Sequence, residues 1–559
     1  MKGWRCFLVL SLVLVLSQFQ FVSLPGVLSS EESSQSSSGC YVAPSIEINP
    51  NLELFAVLYI LAFNGSDYFI TAPKDYISDV LTYFAPYRDD PAVKYIREVF
   101  NSSLPLYARD NGIMEFSSRL ALLGYLPNET NLGELELLAN FARKSDFMTF
   151  YSAHRSEYEE ITRPLVGYLE CVPEEYERLF GHTYESFRVE ASYSLHIHPH
   201  VVFENETVYY VGGLYYTNNV TMLSYVVATL HEFTHPFVRD FLDRNFRTFE
   251  NMSYYLQEVR NELPTTTTYD PGHYSSFHTY LNELFTESIA EYIALRCGVP
   301  GDYVLFRAKA MSAMFLPFWN LFDEYRKAEE LNETLYQYAP TLARHMGEWA
   351  TSENVSAFYR KVAPVVEPSV LDRASYLGKL VIVYGTQNPD ESGNEYDRET
   401  AYSLADRLRE TYMKLYGGAH SIVVKADGNL TDEDLRGNLI LIGGPVANAI
   451  TARLNENLPV RFAFNGSWLL RRNPNAVENF TAFRVTENNI SVIPPNSSVP
   501  LGVFGVIETI RNPWNSKEYV LIIAGLDRYG TREMTKWIQW QSYMIRGETY
   551  WEVGFYSMG

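Results

Sequence analysis

The sequence predicts an α+β fold, in which a mostly helical domain with a small β-sheet precedes an α/β domain with a largely parallel sheet. Apolar residues recur at three- and four-residue spacing through most of residues 46–185, which is the period of amphipathic helices. The spacing changes to two within residues 188–216, as it does in strands. From residue 376, short apolar runs alternate with helical segments, which favours a parallel sheet.

The first domain, predicted over residues 46–370, consists mainly of helices. "NLELFAVLYILAF" and "LGELELLANFARKSDFMTFYSAHRSEYEEI" carry helical spacing, whereas "FRVEASYSLHIH" and "ETVYYVGGLYY" are rich in strand formers. Helix returns over Asn219–His235, where the preceding "YTN" supplies an N-cap. A loop containing "TTTTYDPGHYSS" then leads to a further predicted helix, "FHTYLNELFTESIAEYIALR".

The second domain is predicted over residues 376–559. "APVVEPSVLDRASYLG" (Ala363–Gly378) contains two prolines and separates the two sequence patterns. Buried strands are expected at Lys379–Gly385, Asn438–Gly444 and Glu518–Gly525, with another at "SIVVK". The glycine-containing turns after these strands match neither G-x-G-x-x-G nor a P-loop, so they give no nucleotide-binding fingerprint.

The N-terminus predicts export. In residues 1–29, Lys2 and Arg5 precede the apolar run Phe7–Leu16, which is typical of a signal peptide and too short to span a bilayer alone. An uncleaved N-terminal membrane anchor is the alternative, because "QFQFVSLPGVL" extends the apolar character. Residues 30–45 are Ser-rich and predict a flexible tether. We therefore expect the protein to be extracellular or at the cell surface.

Charge, sequons and cysteines agree with an exported protein. A formal net charge of −22 and a pI of about 5.0 exclude a nucleic-acid partner on electrostatic grounds. Thirteen Asn-x-Ser/Thr sequons predict N-glycans. Apart from Cys6 in the signal region, the cysteines Cys40, Cys171 and Cys297 allow one disulfide and one free thiol, and the sequence does not decide the pair.

The main chemical motif is H-E-x-x-H, at residues 231–235. His231 and His235 are one helical turn apart on the same face, so both imidazoles can point at one ion. Glu232 is then placed to act as a general base on a water at that ion. The motif predicts a Zn²⁺ site in which His231 and His235 are ligands and Glu232 is catalytic. A buried polar pair of histidines is the alternative.

Pro236 directly follows the motif. Proline removes the N–H that would bond the carbonyl of Glu232, and it usually kinks or breaks a helix. Because "FVRDFLDRNF" keeps helical spacing afterwards, we expect the helix to bend after His235 rather than end there. Both predicted ligands precede that bend, so their relative geometry can survive.

A catalytic zinc site usually has three protein ligands, so a second helix should supply one more. "TESIAEYIALR" (Thr286–Arg296) resembles the glutamate helix of the gluzincin metallopeptidases, whose aminopeptidase branch reads N-E-G-F-A-E-Y. The resemblance implies that Glu287 is the third zinc ligand and that Glu291 orients a ligand histidine. In gluzincins an edge strand that lines the cleft precedes the active-site helix, and the β-rich stretch at 188–216 has the same order here.

A second assignment on the same helix stays open. "NELFTE" (Asn282–Glu287) also fits N-E-x-x-x-acid, with Glu283 as the ligand and Glu287 as its supporting acid. Glu287 is the preferred ligand, because Ala290, Glu291 and Tyr292 all match the aminopeptidase pattern together.

Six other side chains are candidates for secondary roles. The three alternating histidines of "LHIHPH" would share one face of a strand and could form a second metal site. Three residues at or before the start of the glutamate helix could donate to an oxyanion. The two sets are, in that order, His196, His198 and His200, and His273, Tyr274 and His278.

Longer segments carry two wider resemblances. Residues 46 to about 300 are similar to a family of uncharacterised archaeal and bacterial proteins with a gluzincin-like H-E-x-x-H, through "EINPNLELFAVLYILA", "YFAPYRDDPAVKYI", "SDFMTFYSAHRSEY" and "HEFTHPFV". That family is a domain of unknown function, so it implies a fold and a site but no substrate. "NLILIGGPVAN" and "VLIIAGLDRYGT" resemble α/β modules of archaeal surface-layer-type proteins, which implies association with the cell envelope.

Together these patterns favour a secreted or cell-surface zinc metallopeptidase that hydrolyses peptide bonds with a metal-activated water and takes a peptide or protein substrate. The alternative is a non-catalytic protein of the cell envelope, associated with a surface layer, in which zinc only stabilises the fold.

Overall fold

The computed structural model describes residues 41–104, 106–129, 133–216, 218–262, 276–311, 318–355, 379–416, 421–473, 482–485, 489–493, 503–515, 518–540 and 553–557. Helices dominate these ranges up to residue 355, and a large sheet with flanking helices follows from residue 379. The predicted mixture of α and β structure is confirmed. The signal peptide, residues 30–40 of the tether and the boundary segment Ala363–Gly378 lie outside the described residues.

The fold begins with a helix buried on every side. This helix, α1, follows Asn49, whose side chain accepts hydrogen bonds from the backbone N–H groups of Asn51 and Leu52. All of its residues except Pro50 are buried, as expected for an apolar sequence without a polar face. The helices of this part of the chain are α1 (Pro50–Ala62), α2 (Lys74–Tyr83), α3 (Pro91–Val99), α4 (Leu106–Ala121), α5 (Glu136–Ser145), α6 (Phe147–Ala153), α7 (Arg155–Leu169) and α8 (Val172–Phe180).

A four-stranded sheet lies against these helices in the order β1-β2-β4-β3. Strand β1 pairs parallel with β2, β2 pairs parallel with β4, and β3 pairs antiparallel with β4. The strand-rich prediction for residues 188–216 is confirmed, and β1 is an additional strand that the sequence did not indicate. The strands are β1 (Ser45–Ile48), β2 (Ser186–Ser192), β3 (His200–Glu204) and β4 (Thr207–Gly213).

Two long helices, α9 (Asn219–Phe249) and α11 (Phe277–Arg296), pack against each other after the sheet. Asn218 caps α9 through a capping box with Thr221, which confirms the predicted N-terminus. Pro236 is buried inside α9, and the helix continues thirteen residues beyond it to Phe249. The prediction that this proline does not end the helix is confirmed, while the predicted bend stays a prediction. The other helices here are α10 (Tyr254–Glu262), α12 (Gly301–Met311), α13 (Phe318–Glu330) and α14 (Leu335–Trp349).

A disulfide joins Cys171 to Cys297, with their Cα atoms 5.9 Å apart. Cys171 precedes α8 and Cys297 caps the C-terminus of α11, so the bond fixes the end of α11 to a neighbouring helix. The bond resolves the pairing that the sequence left open.

We expect replacement of Cys171 and Cys297 by serine to lower the unfolding free energy by about 2–5 kcal/mol, because the bond closes a long loop and restricts the unfolded chain. The two residues are 126 positions apart, which places the effect towards the upper end of that range. Thermal unfolding of the double variant measures it. Cys40→Ser is the matched control, and an equal loss of stability in that variant would contradict the assignment.

The C-terminal part is built on an eight-stranded mixed sheet in the order β11-β10-β14-β12-β13-β7-β5-β6. The four strands predicted from the sequence, β5, β6, β7 and β13, are neighbours and run parallel. The rest of the sheet is mixed, because β10 pairs parallel with β14 while the pairs β10–β11, β12–β13 and β12–β14 are antiparallel. The strands are β5 (Lys379–Tyr384), β6 (Ser421–Ala426), β7 (Asn438–Ile442), β10 (Ala482–Val485), β11 (Ile490–Ile493), β12 (Val503–Arg511), β13 (Tyr519–Gly525) and β14 (Val553–Ser557).

A hairpin and several helices complete this part. Strands β8 (Val460–Phe464) and β9 (Trp468–Arg472) form a separate antiparallel hairpin. Helices α15 (Glu391–Tyr416) and α18 (Arg528–Trp540) pack against each other, and α18 also contacts β13. The two short helices are α16 (Asp432–Leu435) and α17 (Ala449–Leu454).

Glu508 on β12 is fully buried, and its Oε2 accepts a hydrogen bond from the backbone N–H of Val460. Burial raises the pKa of Glu508 to about 8. The folded domain therefore keeps a proton that the unfolded chain releases at its ordinary pKa of about 4.3, so stability falls as pH rises between about 4 and 8.

Glu508→Gln cannot ionise and keeps an acceptor for Val460. We expect it to stabilise the C-terminal part by up to about 3 kcal/mol at pH 7 and to change little at pH 4. Melting curves at both pH values, with exposed Glu433→Gln as control, check this. A pH-independent effect of Glu508→Gln would show that ionisation is not the cause.

Two observations bear on the predicted surface features. In every sequon that falls within the described ranges, the asparagine is exposed, which leaves room for the predicted N-glycans. Among the helices within the same ranges, none combines the length and apolar character required to cross a membrane.

Candidate metal centre

The three motif residues lie together on α9, facing α11. His231 and His235 are separated by one turn, and their Nε2 atoms are 3.1 Å apart. The nearest Glu232 carboxylate oxygen, Oε1, lies 4.0 Å from Nε2 of His231. Within the described part of the chain, these residues form the group whose possible ligand atoms all lie within 4.8 Å of one another. The predicted convergence of His231, Glu232 and His235 is therefore present in the structure.

The other imidazole nitrogens face side chains of α11. Nδ1 of His235 lies 3.1 Å from Oδ1 of Asn282 and 3.3 Å from the hydroxyl of Thr286. Nδ1 of His231 lies 3.2 Å from Oε1 of Glu287. Because the Asn282 oxygen can only accept, it favours a proton on Nδ1 of His235 and leaves the Nε2 lone pair free. The two rings are therefore oriented with both Nε2 atoms towards the same point.

The two candidate glutamates of α11 take different positions around His231. Glu283 Oε2 lies 3.8 Å from Nε2 of His231, on the side where the two imidazoles converge. Glu287 instead contacts Nδ1, the nitrogen that faces away from that point. Glu283 does not belong to the group of side chains whose ligand atoms lie within 4.8 Å of one another. Its carboxylate would have to move closer for one ion to contact it and both imidazoles. This arrangement favours the alternative assignment, with Glu283 at the ion and Glu287 behind His231.

Glu291 does not orient a ligand histidine in the described part of the structure. Its Oε1 accepts a hydrogen bond from Nε of Arg307 on α12, and both side chains are buried. Arg307 also lies 3.9 Å from Glu287 Oε2. The role of Glu291 in orienting a ligand histidine therefore stays a prediction. One further helical turn carries it past His231 and into an ion pair that holds α12 against α11.

Burial and mutual charge set the protonation of the motif. Burial alone would lower the pKa of His231, but nearby carboxylates, Glu287 foremost, raise it to about 10. Burial, reinforced by His231, lowers the pKa of His235 to about 3, so that ring is neutral. Burial raises the pKa of Glu232 to about 7 against the opposing charge of His231. Protonated His231 is therefore the positive charge that lies among the carboxyl groups of Glu232, Glu283 and Glu287.

The pKa values of Glu283 and Glu287, the two candidate acids on α11, shift in opposite directions. Burial raises the pKa of Glu283. Burial would also raise the pKa of Glu287, but His231 and Arg307 outweigh it and lower that pKa. Glu287 is thus the acid that stays ionised behind the histidine, and Glu283 faces the same histidine from its other side.

The edge strand β3 reaches the motif. The backbone N–H of Val201 donates a hydrogen bond to the carboxylate of Glu232. Strand β3 pairs with β4 on one side and is the last strand of its sheet. Among the described strands, the edge of this sheet therefore runs beside Glu232.

The donor set fits zinc. Two imidazole nitrogens bound to a tetrahedral Zn²⁺ at about 2.0–2.1 Å would lie roughly 3.3 Å apart, close to the observed 3.1 Å. Both Nε2 atoms point inward, each Nδ1 faces an oxygen of α11, and a carboxylate approaches from Glu283. Two neutral imidazoles and one carboxylate form a common set of protein ligands for catalytic zinc.

Sequence reasoning missed two residues that contact the candidate site. Asn282 was noted only as the first letter of an alternative pattern, and its contact with His235 depends on how α9 and α11 cross. Arg307 lies on a third helix and has no sequence signal that connects it with the motif. Both become visible only through tertiary packing.

The other candidate histidines do not converge. His200 contacts Ser118 through Nε2 at 2.7 Å, while His198 lies 4.0 Å from Asp110 and His196 stacks on Phe69. Each ring has a different neighbour, so within the described residues these three do not form a second metal site. His273 and Tyr274 lie outside the described residues. His278, near the start of α11, packs against the ring of Phe246.

Comparison with known proteins locates one family match, in the C-terminal part. Residues 419–538 match the model of a family described as "S-layer like family, outer domain". This segment runs from β6 to α18 and supports the predicted resemblance of the α/β region to surface-layer proteins. No curated protein matches the chain. The predicted resemblance to metallopeptidases gains no support from this comparison, and the match itself points to a role at the cell surface.

Proposed function

We propose that the protein is a zinc-dependent peptidase of the cell surface, in which a helical catalytic domain is joined to a surface-layer-like module. The observation that carries this proposal is the convergence of the two Nε2 atoms beside Glu232, with the carboxylate of Glu283 on α11 as a possible third ligand. We assign the ligands as His231, His235 and Glu283. This replaces Glu287, the ligand preferred from the sequence, because Glu287 contacts the outward nitrogen of His231.

Zinc bound by these ligands would supply a water of lowered pKa, near 7, and would polarise a substrate carbonyl. Glu232 would accept the proton of that water and pass it to the leaving amine. Asn282 and Glu287 would hold the two imidazoles by their Nδ1 atoms. Arg307 would keep Glu287 and Glu291 in place on α11.

A peptide is the substrate that the surrounding structure best accommodates. Strand β3 is an edge strand, and an extended peptide can add to such an edge through backbone hydrogen bonds. Val201, on this strand, already contacts Glu232, so a peptide paired with β3 would pass the general base. Proteins with an extended segment are therefore the expected substrates.

The second candidate is a non-catalytic protein of the cell envelope, with zinc as a stabilising ion. The surface-layer family match over residues 419–538 is the specific observation that favours it. Such a protein would use the C-terminal part for assembly, and its H-E-x-x-H helix pair would be a structural feature. Envelope association is common to both candidates, and catalysis separates them.

The experiment pairs metal analysis with substrate cleavage. Purified protein is stripped with a chelator, reconstituted with Zn²⁺, and incubated with a broad peptide library read by mass spectrometry. The proposal predicts one zinc per chain and cleavage that disappears on stripping and returns with zinc. One zinc per chain without cleavage of any peptide would favour the structural candidate, and failure to bind zinc would contradict both.

A further inference from the structure

A cleft in the C-terminal part lies where three parallel strands end. The chain leaves β5 at Tyr384, β7 at Ile442 and β13 at Gly525, and these neighbouring strands point to the same edge of the sheet. Ligands of α/β sheets characteristically bind outside this carboxyl edge. The cleft has a volume of about 140 Å³, enough for several waters or one small cyclic molecule.

Glycines keep this edge open. Gly443 has a φ of +102°, and a Cβ there would come within 3.0 Å of the Asp397 carboxylate. A side chain at Gly525 would collide with the backbone of Thr531. These two turns therefore require glycine, and they let the backbone approach the cleft closely.

Asp397 on α15 is the polar group at the base of the cleft. Its side chain is 2 % exposed and lines the cavity. The charges of Arg528 and Arg532 act on its carboxylate, and no side chain of the described residues donates a hydrogen bond to it. Buried carboxyl groups are normally hydrogen-bonded, so one that faces a cavity keeps acceptor positions that the hydroxyl groups of a ligand can fill. The buried Asp397 carboxylate is an observation independent of the glycines at the strand ends and of the zinc motif.

The residues that line the cleft favour some classes of ligand over others. A buried acid disfavours phosphate and other anions. Arg528 on the rim disfavours a metal cation, and Asp527, a further acid of the lining, already accepts from the backbone N–H of Gly530 at 2.7 Å. The rings of Phe462 and Trp468 add apolar surface to the lining. A neutral molecule with hydroxyl groups on its edge and C–H groups on its face matches this combination.

We propose that this cleft binds one sugar unit of a glycan. Asp397 would accept hydrogen bonds from sugar hydroxyls, Asn388 and Arg528 would contribute polar contacts at the rim, and Trp468 would pack on the ring. The Trp468 side chain is 38 % exposed, so a ligand can cover it without rearranging the core. The site does not depend on the proposed peptidase activity.

The test is binding of methyl glycosides of glucose, galactose, mannose and N-acetylglucosamine to the full chain, measured by saturation-transfer NMR and calorimetry. We expect at least one to bind with a millimolar Kd, to lose at least about tenfold in affinity with Trp468→Ala, and to lose binding with Asp397→Ala. Tyr402→Ala is the control, because Tyr402 is an aromatic residue of similar exposure, 44 %, and does not line the cleft.

Trp468→Ala keeps the test valid if the buried Asp397 variant fails to fold, which its circular dichroism would show. The proposal is overturned if no glycoside binds, or if affinity survives Trp468→Ala. It is also overturned if inorganic phosphate or tetramethylammonium, used as probes for anions and organic cations, binds in this cleft and the glycosides do not.

Discussion

Glu232→Gln is expected to lower kcat for peptide hydrolysis by about 10²–10⁴-fold while one zinc per chain remains bound. The amide keeps the shape of the side chain and an acceptor oxygen for the Val201 N–H, but it cannot take a proton at neutral pH. Because His231 and His235 are untouched, the metal site should retain its ligands. Zinc content by elemental analysis and kcat on one cleaved peptide are the two measurements.

Glu204→Gln is the matched control for this variant. Glu204 lies on the same edge strand, β3, and is exposed, so its amide should leave both kcat and zinc content unchanged. Full activity of Glu232→Gln would contradict the role of Glu232 as the general base. Loss of zinc together with activity would show that Glu232 acts as a ligand instead.

Replacement of Glu283 or Glu287 by glutamine should show, through the loss of zinc affinity, which residue binds the ion and which one only holds His231 in place. Glu283→Gln is expected to weaken zinc binding about 10²–10³-fold, because a structural zinc site gains about 10–16 kcal/mol from four ligands and 1.4 kcal/mol is tenfold. Glu287→Gln removes the acid behind His231 and should cost about 10–100-fold. Competition with a fluorescent chelator measures both dissociation constants.

Glu291→Gln is the control on the same helix, one turn beyond Glu287. It loosens the ion pair with Arg307 but touches neither histidine among the described residues, so thermal stability should fall while zinc affinity changes less than about threefold. If Glu287→Gln weakens zinc more than Glu283→Gln does, the ligand preferred from the sequence alone is correct and the geometric assignment is wrong.

The H-E-x-x-H pair was predictable because its geometry is local. Residues four apart on a helix share a face whatever the rest of the chain does, so His231 and His235 could be paired from the sequence. The α11 acids could not be ranked in the same way. Glu283 and Glu287 are also four apart and share a face, and only the crossing of α9 and α11 decides which one meets Nε2 of His231.

The same division applies to the fold. Helix α1, the capped start of α9 and the apolar strands β5, β7 and β13 were predicted, because composition and spacing specify them locally. Strand β1 was missed, since four residues gain strand character only by pairing with β2, more than 130 residues away. The antiparallel pairs β12–β13 and β12–β14 join strands that are closer in the chain, but short sequence patterns give no register for them.

Anomalous X-ray diffraction from zinc-loaded crystals, recorded on both sides of the zinc absorption edge, tests the central claim most directly. The account predicts one peak of full occupancy within about 2.0–2.2 Å of Nε2 of His231, Nε2 of His235 and one carboxylate oxygen of Glu283. A peak coordinated by Glu287 in place of Glu283 would contradict the ligand assignment. The absence of any peak between α9 and α11 would contradict the zinc site itself.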